Sequence, residues 1–304
     1  MRNLFVVVRR WVLVIVPLLA WAGVPNVEVR GSEVWVTDDG GQRQLTHDGK
    51  AKDHVELSPS LRRIVYIEQC APKERCTPSM VVLDLEGHRI GSFQACGSPS
   101  IAWSSETAVA ATCHINPSLE EYFEADTSTG KNIRDLLGYG FTLSPDGKLV
   151  AHVGWIIHFA PPYAQSDYLQ IEHTTIYPLP EGMRPVVQTD LIQPPTVVRK
   201  EGPTYRGIHQ FGYGLLWSPD SQRIALTDCT YDWAPSSPGA LSIAYGKETG
   251  RRCSVAVVST GGKVALFPIA DLTPGGRGEP RLSWLNSRQL SVGINGNTRI
   301  FNVQ

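Results

Sequence analysis

Acid–base chemistry in this chain would draw on His158, His173 and His209, with Asp167, Asp190, Glu201 and Asp232. A histidine held by a carboxylate moves protons near neutral pH, as hydrolases and lyases require. No spacing among these seven residues selects a pair. No G-x-S-x-G elbow presents a serine nucleophile, and neither H-E-x-x-H nor a calcium-loop spacing occurs. The residues therefore assign no catalytic group, no metal site and no cofactor. Aromatic side chains are the stronger signal. The stretch GWIIHFAPPYAQSDY (154–168) holds Trp155, His158, Tyr163 and Tyr168, and Tyr205, His209, Tyr231 and Trp233 follow. Rings with polar tips suit contact with a protein, a peptide or a glycan. These eight form the candidate binding set, and the alternative for each is a cap on the core under a long loop.

The elements that must position them repeat. LLWSPDSQRIALTDC (215–229), VELSPSLRRIVYIEQC (55–70) and FTLSPDGKLVAHV (141–153) are near copies, with IAWSSETAVAATC (101–113) and RLSWLNSRQLSVG (281–293) as shorter relatives. Each is two alternating apolar runs around a tight turn, hence a β-hairpin, strands a and b. Second hairpins, strands c and d, lie at 33–46, 80–93, 123–136, 174–187 and 255–267, mostly around Gly-rich turns. Leu57, Trp103, Leu143, Trp217 and Trp284 align in strand a and read as core. Repeated four-stranded sheets that cannot bury their faces alone predict an all-β chain forming one β-propeller. Five a–b hairpins favour five blades, and the extra terminal strands leave six open. Strands 33–46 are expected to join the last blade and close the ring.

WSPDSQRIAL (217–226) and TDDGGQRQLT (37–46) resemble the blade motifs of the TolB-like family of bacterial periplasmic propellers. The resemblance covers most of residues 30–304 and implies a propeller that binds other molecules outside the cytoplasm. The third repeat departs from it, being long and Pro-rich, and the extra N-terminal domain of TolB itself has no counterpart. A role in the Tol system is therefore not implied.

Topology puts the b–c and d–a connections on one face of a propeller. The long excursions, at 154–173, 188–213 and 230–252, all fall in that set, so the insertion face is the expected binding face. Cysteines obey the same topology. Cys70 ends a strand b and Cys76 precedes a strand c, and Cys229 and Cys253 hold the same two places in another repeat. Cys113 ends a strand b with Cys96 ahead of the adjoining strand a. The expected disulfides are 70–76, 96–113 and 229–253, with six buried thiols as the alternative.

Arg2, Arg9 and Arg10 precede an apolar run from Trp11 to Trp21, with Ala20-Trp21-Ala22 as a cleavage site. That is the layout of a signal peptide, residues 1–22, and the rival reading keeps it as a membrane anchor. Its removal takes three arginines and no acid, so the net charge falls from −1 to −4. Mild acidity argues against a nucleic-acid partner. The expectation is a periplasmic or secreted binding or scaffold module for an envelope protein, peptide or glycan. Membrane contact follows only if the signal segment is retained. The alternative is a propeller enzyme using His and carboxylate groups on the same face.

Overall fold

The repeated phrase is a turn with its own hydrogen bonds. The hydroxyls of Ser58, Ser144 and Ser218 accept the backbone N–H of Arg63, Leu149 and Arg223 at 3.1, 2.9 and 3.0 Å. The Asp146 and Asp220 carboxylates accept the hydroxyl protons of Ser144 and Ser218 at 2.7 and 2.6 Å. The fourth turn residue lies in the left-handed region in all three copies: Leu61 at φ 61°, Gly147 at 70° and Ser221 at 58°. Glycine adopts that geometry without strain, which is why the fullest copy reads S-P-D-G.

The computed structural model describes residues 24–71, 76–96, 100–116, 119–154, 166–174, 187–188, 199–212, 214–237, 246–269 and 280–303. Regular structure there is entirely β, in five antiparallel sheets. The first holds β1 (Asn26–Arg30), β2 (Glu33–Asp38) and β3 (Gly41–Gln44). The second runs β4 (Lys52–Leu57), β5 (Arg63–Glu68), β6 (Ser79–Asp84) and β7 (Arg89–Gln94). The third comprises β8 (Ser100–Ser105), β9 (Ala108–Asn116), β10 (Leu119–Asp126), β11 (Asn132–Leu143), β12 (Leu149–Gly154), β13 (Leu169–His173) and β14 (Val187–Gln188). It divides at β11, whose first half pairs β10 and whose second half pairs β12, so it makes two blade-like units. The fourth contains β15 (Arg199–Glu201), β16 (Thr204–Phe211), β17 (Leu216–Trp217), β18 (Arg223–Pro235), β19 (Gly246–Ser259) and β20 (Val264–Ile269). The last is β21 (Arg281–Asn286), β22 (Gln289–Ile294) and β23 (Asn297–Asn302).

The core lies between the sheets. Val34 and Val36 pack on Ile64 and Tyr66, while Val65 and Ile67 pack on Val109 and Ala111. Further along, Leu169 and Ile171 meet Ile224 and Leu226, and Ala225 and Val257 meet Leu290 and Val292. The strand-a tryptophans tie successive units. Trp103, Trp217 and Trp284 each donate the indole N–H to a backbone carbonyl of the preceding unit: Glu56 at 3.4 Å, Thr142 at 3.0 Å and Leu216 at 3.1 Å. Trp103 and Trp217 therefore bury their rings, and Trp284 partly buries its own, without an orphaned donor.

The three disulfides are those expected, with Cα–Cα separations of 5.9 Å for Cys70–Cys76, 5.6 Å for Cys96–Cys113 and 4.0 Å for Cys229–Cys253. Two expectations change. Strands 33–46 do not join the last blade: β2 pairs with β1 on one side and β3 on the other, and no ladder among the described residues reaches β21–β23. The alternating NVEVR of β1 supplies the neighbour that closure would have supplied. The other change concerns the long loops, whose described residues are largely strand. β13 and β16 occupy parts of 154–173 and 188–213, and 230–252 continues the β18–β19 ladder out to Pro235↔Gly246.

Candidate functional site

The extended halves of β18 and β19, with β15 and β16, build a wing beyond the fourth sheet's blade-like part. Rungs Tyr205↔Trp233 and Ile208↔Tyr231 join β16 to β18, and Trp233↔Glu248 joins β18 to β19. Tyr205, Ile208, Tyr231 and Trp233 form a small core of their own, none more than 9% exposed. The Trp233 ring lies flat over Gly246, where a Cβ would sit 1.9 Å from it. Three of the candidate binding aromatics are thus packing residues of the wing. The reason is that strand pairing gives adjacent rings a surface on which to bury one another. The Arg251 guanidinium stacks over Tyr231 at 4.7 Å, held by Glu248 and by Gln210 at 2.7 Å.

At the foot of the wing, titratable groups converge. His209 on β16 donates from Nδ1 to both oxygens of Asp228 on β18, at 3.0 and 2.8 Å. The acceptor is a carboxylate, so Nδ1 carries the hydrogen, and in the neutral ring Nε2 carries the lone pair. Nε2 has no hydrogen-bond partner among the described residues. Segment 166–168, leading into β13, runs alongside. The Asp167 N–H donates to the His209 carbonyl at 2.9 Å, and the Ser166 hydroxyl accepts the His209 N–H at 2.8 Å. The Asp167 carboxylate accepts the Phe211 N–H at 2.7 Å and the Tyr139 hydroxyl.

Burial pushes Asp167 up to about 6, against the lowering effect of the Phe211 and Tyr139 bonds; Asp228 raises it further and His209 opposes. Asp167 and Asp228 are 3% and 4% exposed, while the His209 side chain keeps 16%. The site is therefore two buried carboxylates with one imidazole at the rim. An imidazole oriented by a carboxylate can accept a proton or bind a donor at Nε2. No serine, threonine or cysteine side chain among the described residues bonds to Nε2, so none of them completes a triad. No group of three or more metal-ligating side chains that could hold an ion occurs there either.

The remaining candidates fall elsewhere. Trp155, His158, Tyr163 and Asp190 lie outside the described residues. Tyr168 is half-buried, its ring flat over Gly154, and burial raises its phenol. His173 is exposed at the end of β13. Glu201 and Asp232 both bind Arg206, Glu201 at 3.1 Å, on the wing surface. Asp228, Ser166 and Tyr139 belong to the site and were not singled out from the sequence. Only the ladder shows Asp228, because Phe211↔Asp228 and His209↔Thr230 set it diagonally across from His209.

No family model matches the chain, and no curated protein matches it. Solved structures similar to it include TolB from Acinetobacter baumannii, at 17% identity and a TM-score of 0.33, over 88% of this chain and 58% of that one. The β-propeller domain of the Trilobed protease from Pyrococcus furiosus is similar at 12% identity and a TM-score of 0.42, over 88% and 73%. The tricorn protease is similar at 10% identity and a TM-score of 0.42, over 92% and 32%. The chain therefore spans less than two thirds of the TolB chain and about a third of tricorn.

Proposed function

We propose that this chain is an extracytoplasmic propeller-type binding module that recognises a protein, peptide or glycan at the wing and the His209 rim beneath it. One observation carries the reading: a sheet that needs only short turns instead extends two strands into a wing with its own core. Such an extension calls for a reason beyond connection. Export rests on the signal-type segment 1–22 and on three disulfides, which persist in oxidising compartments. The envelope form should begin at or near Gly23.

The experiment is site-specific photo-crosslinking in intact envelopes, with the crosslinker at Thr230 and, as control, at Ile300 on the last sheet. Adducts confined to Thr230 support the reading. Equal labelling at both positions, or none at Thr230, overturns it. A second reading, a hydrolase or lyase, is favoured by the His209–Asp228 pair alone. It requires turnover that His209→Ala abolishes while the variant stays folded, since the Asp228 carboxylate left without its partner lowers the melting temperature in either case.

A further inference from the structure

We infer that the outer edge of β19 at Gly246–Arg252 docks an extended acidic segment of a partner protein, added as a strand to the wing. The inference rests on the binding-module reading and names its partner's chemistry. β19 pairs with β18 along its whole length, but with β20 only over Cys253–Val258. Among the described residues, then, stretch 246–252 has a ladder on one side only. Alternate N–H and C=O groups on its other side have the spacing that an extended peptide satisfies and a glycan or lipid does not.

Charge selects the peptide. The wing stretches 199–206, 230–235 and 246–252 hold six Lys and Arg against three Asp and Glu, in a chain of net charge −1. All three acids are occupied: Glu201 and Asp232 by Arg206, Glu248 by Arg251. Lys247 and Arg252 on the edge strand itself are exposed and form no ion pair among the described residues. The edge therefore offers exposed positive charge, and Arg252↔Thr230↔His209 forms one rung from that edge to the rim imidazole. The Cys229–Cys253 disulfide clamps the wing's base across directly paired residues, which limits the ordering cost of binding.

The test is fluorescence anisotropy with the full chain and a labelled peptide alternating glutamate and valine. Comparison probes are the same peptide with proline at every second position, heparin, and phosphatidylglycerol vesicles. The acidic peptide should bind, weaken with salt, and lose at least about tenfold in affinity for Lys247→Glu/Arg252→Glu. The proline peptide should fail for want of N–H donors. If the reversal variant melts early, Lys247→Gln/Arg252→Gln should still weaken binding. Edges charged merely to repel other strands would reject every peptide, and that result overturns the proposal. So does heparin or vesicle binding in place of the peptide. Thr230 adducts that survive the charge reversal would sink this edge while leaving the binding-module reading intact.

Discussion

Asp167→Asn should make this protein more stable at neutral pH. The carboxylate is 3% exposed, and burial lifts it from 3.8 to about 6. Below 3.8 the group is protonated in the folded and unfolded states alike, and it contributes nothing. Between 3.8 and about 6 the folded state holds the proton more tightly, so stability falls as pH rises through that window. Above about 6 both states are ionised and the folded one carries the full cost. At about 1.4 kcal/mol per pKa unit, that cost is about 3 kcal/mol. Asparagine keeps an oxygen to accept the Phe211 N–H and avoids the buried charge. The variant's advantage should be about 3 kcal/mol near pH 7.5 and under about 1 kcal/mol near pH 4. For a chain of 304 residues that corresponds to a rise in Tm of roughly 5 °C. The assay is thermal unfolding by circular dichroism across that pH range. A variant less stable than the parent near neutrality, or a difference that does not change with pH, refutes the reasoning.

Trp217→Phe should cost about 2–3 kcal/mol, from the lost indole bond and the carbonyl of Thr142 left unsatisfied; an unchanged denaturant midpoint would contradict the tie. Gly147→Ala should cost at least about 1–2 kcal/mol, because a Cβ there takes a left-handed φ of 70° and meets the Ser104 carbonyl at 2.8 Å. Deleting residues 24–46 should give an aggregating protein. It uncovers Ile64, Tyr66, Val81 and Leu83, all at most 3% exposed, and strips the buried Lys52 ammonium of the Ser32 carbonyl and Glu33. A monomeric product with the parent's melting transition would show that the first sheet is dispensable.

The blade hairpins were legible because period-2 alternation and turn chemistry agree in each copy. Leu57, Trp103, Leu143, Trp217 and Trp284 aligned for the same reason, and the disulfides followed from strand ends. The wing was not legible. Its strands are broken by a register shift between Tyr205 and Ile208 and another between Thr230 and Asp232, so alternation fails where the ladder continues. Prolines and glycines such as Pro203, Pro235, Gly246 and Gly250 then read as loop. Once the stretch is taken for loop, its rings look exposed. In the ladder they bury one another.

The site was half legible. His209 and Asp167 belonged to the pool of acid–base residues, yet Asp228 reads as the polar end of an apolar run and acquires its role only through pairing. Residue type does not separate a site from packing here, as a second cluster shows. Arg134, Glu172 and His152 also combine charge with an imidazole, His152 Nε2 lying 3.0 Å from Glu172. Both Arg134 and His152 are closed off, their side chains 3% and 2% exposed, and Phe141 stacks on His152 at 4.6 Å. Polar groups closed off in this way fix how two halves of a sheet meet. His209 has the same kind of partner but stands at a rim, beneath a wing whose free charges are positive. Access, set by the strands that extend and by those that stop, is what makes one cluster a candidate site and the other a joint.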